Sequence, residues 1–179
     1  MSQLDQLLDA ASRFAASFEE TVDVASLSIS PRRGIVMITC VDPRVDPTHM
    51  FGLEVGDAIV ARTPGGRVST ELLDDLHTAG AVGARKPDIK RTVTDLLVIH
   101  HTACGFTAIA DDDLRAEICA EIGGDPGRMA GLAIGSFEES LATDVDLVRA
   151  DERYPDTLTV TGWLYDVATG GLEMVVGPS

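Results

Sequence analysis

The chain has 179 residues, 45% of them hydrophobic, which suffices for one core of ordinary size and is too little for two comfortable domains, so a single domain over 1–179 is expected. Its 29 acidic residues against 14 basic ones give a formal net charge of −15, which argues against nucleic acid, since phosphate binding needs clustered Lys and Arg. No window approaches the ~20 apolar residues that span a bilayer, and the first twenty residues lack the basic start and unbroken apolar run of a secretory signal, so no membrane partner and a soluble, cytoplasmic protein are expected.

Residues 2–20 place Leu4, Leu7, Leu8, Ala11, Phe14, Ala15 and Phe18 at spacings of three and four, which predicts an amphipathic leading helix. Gly34 to Thr39 is a short apolar, β-branched run that reads as a strand buried on both faces and ending at Cys40. Ala58 to Ala61 reads as a second strand, closed by Arg62-Thr-Pro-Gly-Gly66, where Pro and paired Gly force a tight loop. Ser69 or Thr70 then caps a helix over Glu71 to Ala84, with Glu71 and Asp74 near its positive end. Lys86-Pro87 closes that helix, and a third strand, Leu96 to Ile99, runs straight into His100 and His101. Asp111 to Asp113 open a helix to about Ile122, Gly123 to Gly127 form a Gly-rich break, and another helix covers about Phe137 to Ala150. Thr157 to Asp166 alternates as a strand, and Thr169 to Gly171 turn it back into Leu172 to Val176. There is no internal repeat and no low-complexity segment.

Strands alternating with helices imply βαβ units, hence an α/β fold with a mainly parallel central sheet flanked by helices. Ligands of such sheets collect at the carboxyl ends of the strands. Three segments converge on that edge: Cys40 to Arg44, Arg62 to Gly66, and His101 to Gly105.

Cys40, His101 and Cys104 form a candidate three-ligand metal set. His and Cys three residues apart face one ion across a single turn, Cys40 adds a ligand from a neighbouring strand, and thiolate with imidazole suits zinc over magnesium or calcium. Three cysteines cannot all pair internally, and Cys119, on the apolar side of a predicted helix, reads as a buried inert thiol. The nearby candidates for a fourth position are Asp42 and His100. Adjacent strand residues point to opposite sides, so His100 and His101 do not share one ion, and Asp42 is the better placed. Arg44 offers a planar fork that grips a carboxylate in two hydrogen bonds and holds it off the metal, although the same pair also reads as a plain structural salt bridge.

These residues resemble the β-class carbonic anhydrases, whose motifs Cys-x-Asp-x-Arg and His-x-x-Cys stand here as Cys40, Asp42, Arg44, His101 and Cys104. The likeness runs over most of the chain, through the leading helix, the strand before each motif, the Arg-x-x-Gly loop and the final hairpin. It implies an obligate dimer or multiple of dimers and Zn2+ on Cys40, His101 and Cys104. It also implies hydration of CO2 to bicarbonate, with zinc lowering the pKa of bound water so that hydroxide is available near neutrality. Asp42, locked by Arg44, would accept the hydrogen bond of that hydroxide; released, it would take the fourth position in a closed state.

Two departures from the family concern the pocket wall expected from Gly65, Gly66, Gly105 and Phe106. Thr63-Pro64 stand where an Asn often follows the loop arginine, and bulky Phe106 stands where a small residue is common. His-His-Thr-x-Cys-Gly and the short length are also similar to the family branch that includes carbonyl sulfide hydrolases, so a COS or CS2 hydrolase is the alternative. A non-catalytic zinc domain is the third reading, and the Asp42–Arg44 dyad argues against it, because a structural zinc needs no such pair. His49 is the nearest proton carrier by sequence but reads more simply as a surface histidine, and His77 takes no role.

Overall fold

The computed structural model describes residues 2–21, 27–85 and 93–178. The chain runs α1 (Gln3–Thr21), β1 (Ile35–Cys40), α2 (Pro47–Phe51), β2 (Ala58–Thr63), α3 (Thr70–Gly83), β3 (Asp95–His101), α4 (Asp112–Ile122), α5 (Pro126–Gly131), α6 (Phe137–Arg149), β4 (Thr159–Tyr165) and β5 (Leu172–Val176). Single tight helical stretches at Pro64–Gly66 and Gly105–Ala110 follow β2 and β3.

The five strands lie in the order β2-β1-β3-β4-β5; the first four are parallel and β5 returns antiparallel to β4. Val36 and Ile38 of β1 pair with Leu96 and Val98 of β3, and Leu96 pairs with Val160 of β4, so one sheet face is a continuous apolar layer. Leu73 of α3 and Leu141, Val145 and Val148 of α6 close over it. Met37, Thr39 and Ile99 on the opposite face are also buried, which is why β1 reads as an unbroken apolar run rather than an alternating one.

Each predicted strand is present, with β2 two residues longer than expected and β3 extended through both histidines. Ser69 caps α3, its hydroxyl accepting from the Leu72 N–H at 3.2 Å. The expected helix stop at Lys86-Pro87 lies outside the described residues. The stretch read as a Gly-rich break from Gly123 to Gly127 is a correction: α5 starts inside it, with the Asp125 carboxylate capping the Arg128 N–H at 2.7 Å and Pro126 in the first turn. Short α2, capped by Asp46 and led by Pro47, was likewise not expected. Among the described residues no helix is long and apolar enough to cross a membrane.

α1 exposes Leu4, Leu7, Leu8 and Phe14 by 58–68%. An apolar stripe on a helix is ordinarily turned toward a core, and here it faces outward.

Candidate metal centre

Cys40 and His101 are the last residues of β1 and β3, neighbouring strands whose register sets Thr39 opposite Ile99. Parallel pairing therefore brings both side chains to one edge of the sheet. Cys104 arrives after a turn in which Ala103 has φ +54°, the single positive φ among the described non-glycine residues. An alanine in that left-handed region costs roughly 1 kcal/mol and persists only where its surroundings hold it.

Sγ of Cys40 lies 4.0 Å from Sγ of Cys104, and the ligand atoms of Cys40, His101 and Cys104 all fall within 4.8 Å of one another. Zinc–sulfur bonds of about 2.3 Å meeting at a tetrahedral angle put two sulfurs about 3.8 Å apart, so this spacing suits a shared ion and is far too long for a disulfide. Nδ1 of His101 sits 2.9 Å from the Thr102 carbonyl. A carbonyl only accepts, so Nδ1 carries the ring proton and Nε2 bears the lone pair. That Nε2 is buried and has no hydrogen-bond partner. An orphaned imidazole nitrogen grouped with two thiols is a donor set that fits zinc. Burial pushes the His101 imidazole toward its neutral, ligating form and raises the Cys104 thiol.

Asp42 stands beside this set, Oδ2 being 3.8 Å from Nε2 of His101. Arg44 grips it twice, Nε donating to Oδ1 at 2.9 Å and Nη2 to Oδ2 at 2.7 Å, while the Arg44 N–H also donates to Oδ1 at 2.9 Å. The Arg44 side-chain hydrogen bonds hold the Asp42 carboxyl well below the usual carboxylate range. Nη2 of Arg44 further donates to the Ala103 carbonyl at 3.0 Å, tying the two motifs together.

Arg62, given no role from the sequence, braces the first motif by donating to the carbonyls of Cys40 at 3.1 Å, Asp42 at 2.6 Å and Val45 at 2.7 Å. The signal that could have found it is its place, the last residue but one of β2 at the sheet edge where both motifs end. Arg67 works from the other side, with Nε and Nη2 on the Asp144 carboxylate at 2.8 and 3.1 Å and Nη1 on the Ala133 carbonyl. His100 donates from Nε2 to the same Asp144 at 3.0 Å, so it points away from the metal set, as its neighbouring strand position requires.

Of the expected pocket wall, Gly66 is pressed against the site: a Cβ there would lie 3.0 Å from the Ile99 carbonyl and 3.2 Å from the Cys40 nitrogen. A Cβ on Gly65 would lie 3.3 Å from Cβ of Phe106. Both have φ near +70°, so glycine is required twice over. Phe106 packs with Ile134 against Cys40 and Cys104 on one side and against Ile109, Cys119 and Met129 on the other. With Pro64, Gly105, Ile109 and Leu132 it lines an apolar cavity of about 330 Å³. A second cavity of about 510 Å³ opens on Arg44, lined there by exposed His49 and half-buried Tyr165. His77 lies away from the centre, its Nε2 3.1 Å from Asp151. Cys119 is buried and donates to the Gly124 carbonyl at 3.1 Å.

A family model described as carbonic anhydrase matches residues 35–122, the span that holds both motifs. β-Carbonic anhydrase 1 of Mycobacterium tuberculosis is 28% identical over 159 residues, covering 86% of this chain and 92% of the relative. A carbon disulfide hydrolase of Acidithiobacillus thiooxidans is 23% identical over 168 residues, 82% of this chain and 79% of that one. Among solved structures, the carbonic anhydrase of Streptococcus mutans superposes with a TM-score of 0.77 at 26% identity, covering 98% of each chain.

Proposed function

We propose, from the premise that this chain belongs to the β-class carbonic anhydrase family, that it is an enzyme hydrating CO2 to bicarbonate and a proton at a zinc ion held by Cys40, His101 and Cys104. The observation that carries this reading is the Asp42 carboxylate, locked by Arg44 and set 3.8 Å from the free nitrogen of His101. Zinc in such a set supplies the Lewis acidity that makes water a nucleophile near neutral pH.

The residues do the rest. Asp42 stays ionised and can only accept, so it would accept a hydrogen bond from the attacking oxygen and orient a lone pair of that oxygen toward CO2. Arg44 keeps that carboxylate from turning onto the metal itself, because its two hydrogen bonds and its bond to the Ala103 carbonyl fix both partners. Phe106 and Ile134, packed on the sulfurs, keep the approach apolar, which suits a linear uncharged substrate.

The same apolar wall favours a second reading, hydrolysis of COS or CS2 by the same centre, with hydrogen sulfide and CO2 as products from COS. One assay separates them: CO2 hydration and hydrogen sulfide release from COS are compared on zinc-loaded protein. Fast CO2 hydration with negligible sulfide supports the first reading, the reverse supports the second, and neither activity on a zinc-bearing chain supports the non-catalytic domain. Phe106→Gly is expected to lower COS turnover relative to CO2 by about tenfold, since the sulfur end gains more from apolar contact. An unchanged ratio removes Phe106 from substrate choice.

The assembly is a homodimer or a multiple of dimers, a reading supported by the outward apolar stripe of α1. Light scattering should give at least a dimer for the native chain and a smaller species for Leu7→Glu combined with Leu8→Glu. A native monomer would end this reading. The three free thiols suit the reducing cytoplasm.

A further inference from the structure

A thiolate ligates wherever its sulfur reaches, but an imidazole must also be turned so that its lone pair points at the ion. The aim of the His101 ring is set by the Thr102 carbonyl that accepts from Nδ1 at 2.9 Å. That carbonyl is fixed in turn by a part of the chain outside both motifs. The Thr102 N–H donates to the Tyr165 carbonyl at 2.9 Å, its hydroxyl donates to Oδ1 of Asp166 at 3.1 Å, and the same hydroxyl accepts from the Val167 N–H at 3.1 Å. All the polar groups of Thr102 are thus committed, one to the ligand histidine and the others to the turn between β4 and β5.

Asp166 is itself held firmly. Oδ1 accepts from the Ala168 N–H at 2.9 Å and Oδ2 from the Thr169 hydroxyl at 2.7 Å, while its own N–H donates to Gly171 and its carbonyl accepts from Gly170, both at 2.8 Å. The residue after Thr102 is Ala103, in the left-handed region at φ +54°. Left alone, that alanine relaxes toward negative φ, which rotates the preceding peptide and carries the Thr102 carbonyl off Nδ1. Two grips oppose this: Arg44 on the Ala103 carbonyl, and Asp166 on Thr102.

We infer that Asp166 is a positioning residue of the metal centre, holding through Thr102 the strained turn that aims Nε2 of His101 at zinc. The inference rests on Cys40, His101 and Cys104 being the ligands. It makes the β4–β5 hairpin part of the centre rather than only the edge of the sheet.

The test is zinc affinity by chelator competition, with the absorption spectrum of the cobalt-substituted protein as a readout of ligand geometry that needs no turnover. Asp166→Ala and Thr102→Val should each weaken zinc by roughly tenfold, the low end of the range found when an outer partner of a metal-bound histidine is removed, because the Thr102 carbonyl remains but is no longer held. The double variant should be no weaker than the worse single one, because both cut the same link. Asp166→Asn should stay within about threefold of the native chain, since its amide oxygen still accepts from Thr102 and Ala168. The ligand-field bands of cobalt should shift in Asp166→Ala and be restored in Asp166→Asn. If Asp166→Ala does not fold, Thr102→Val carries the test, because the turn keeps its other bonds to Asp166. Native chain that binds zinc tightly alongside Asp166→Ala and Thr102→Val that bind equally well, with unchanged cobalt spectra, would overturn this inference alone. A native chain that takes up neither metal would overturn the ligand set and this inference with it.

Discussion

Cys104→Ala is expected to yield a folded chain that holds no zinc and hydrates CO2 no faster than buffer. Cys104 supplies one of the two sulfurs, 4.0 Å apart and both buried, and among the described residues no further Cys or His joins the cluster to replace it. Asp42 is the nearest carboxylate, but Arg44 holds both its oxygens. Two ligands remain, which is too few for a zinc that survives purification. Metal analysis checks the first half and stopped-flow hydration the second, while a melting curve confirms that the fold remains. Stoichiometric zinc in the variant would remove Cys104 from the set. The same thiol gives a pH dependence with a definite sign. Burial raises it, so at neutral pH the metal-free centre carries the proton, and zinc must displace that proton in order to bind. The apparent zinc affinity of the native chain should therefore fall as pH falls, by about tenfold per pH unit for this thiol alone. Chelator competition between pH 8 and pH 6 reads it.

Asp42→Ala is expected to separate binding from chemistry: zinc stays, and CO2 hydration drops by roughly 10²- to 10³-fold, the effect of losing one preorganised partner of the reacting oxygen. Asp42 makes no direct hydrogen bond to the ring of His101, and the three ligand atoms meet without it. Removing it opens the place beside Nε2 and leaves the set intact. In the native chain Arg44 depresses the Asp42 carboxyl, so Asp42 is a carboxylate throughout the neutral range and supplies no acid limb there. In Arg44→Ala the main cause of that depression is gone, so the carboxyl rises toward its ordinary value and is free to turn. A hydration rate in Asp42→Ala equal to that of the native chain would remove Asp42 from the mechanism.

What the sequence made legible was local or repetitive. The run from Gly34 to Thr39 declares a buried strand, and the motif that follows it must therefore sit at the strand's carboxyl end. Two such strands, each ending in candidate ligands, already place Cys40 near His101. The short helix α5 was lost because six residues make less than two turns, too few for an apolar period, although Asp125-Pro126 carried its start signal. The braces behind the centre were lost for a different reason. Arg67 meets Asp144 across 77 positions and Thr102 meets Asp166 across 64, and no spacing rule links residues that far apart. Phe106 was legible as bulky and near the candidate metal centre. That it separates the sulfurs from a second apolar cluster depends on where α4 and α5 fold back, which its own neighbours in sequence do not announce.

The close fit of Gly66 has a consequence for anyone wishing to reshape this pocket. Its nearest neighbours are main-chain atoms, the Ile99 carbonyl and the Cys40 nitrogen, and these belong to the two strands that end in the candidate ligands. Room made there would be made by prying those strands apart. Gly65 faces side chains instead, with Cγ of Arg67 at 3.2 Å, Cβ of Phe106 at 3.3 Å and Cδ1 of Ile134 at 3.4 Å, and side chains can be changed without moving either strand. The cavity is therefore adjustable from one side only: libraries aimed at a different guest molecule belong at Phe106 and its apolar neighbours, and the Gly66 side is best left as fixed scaffold.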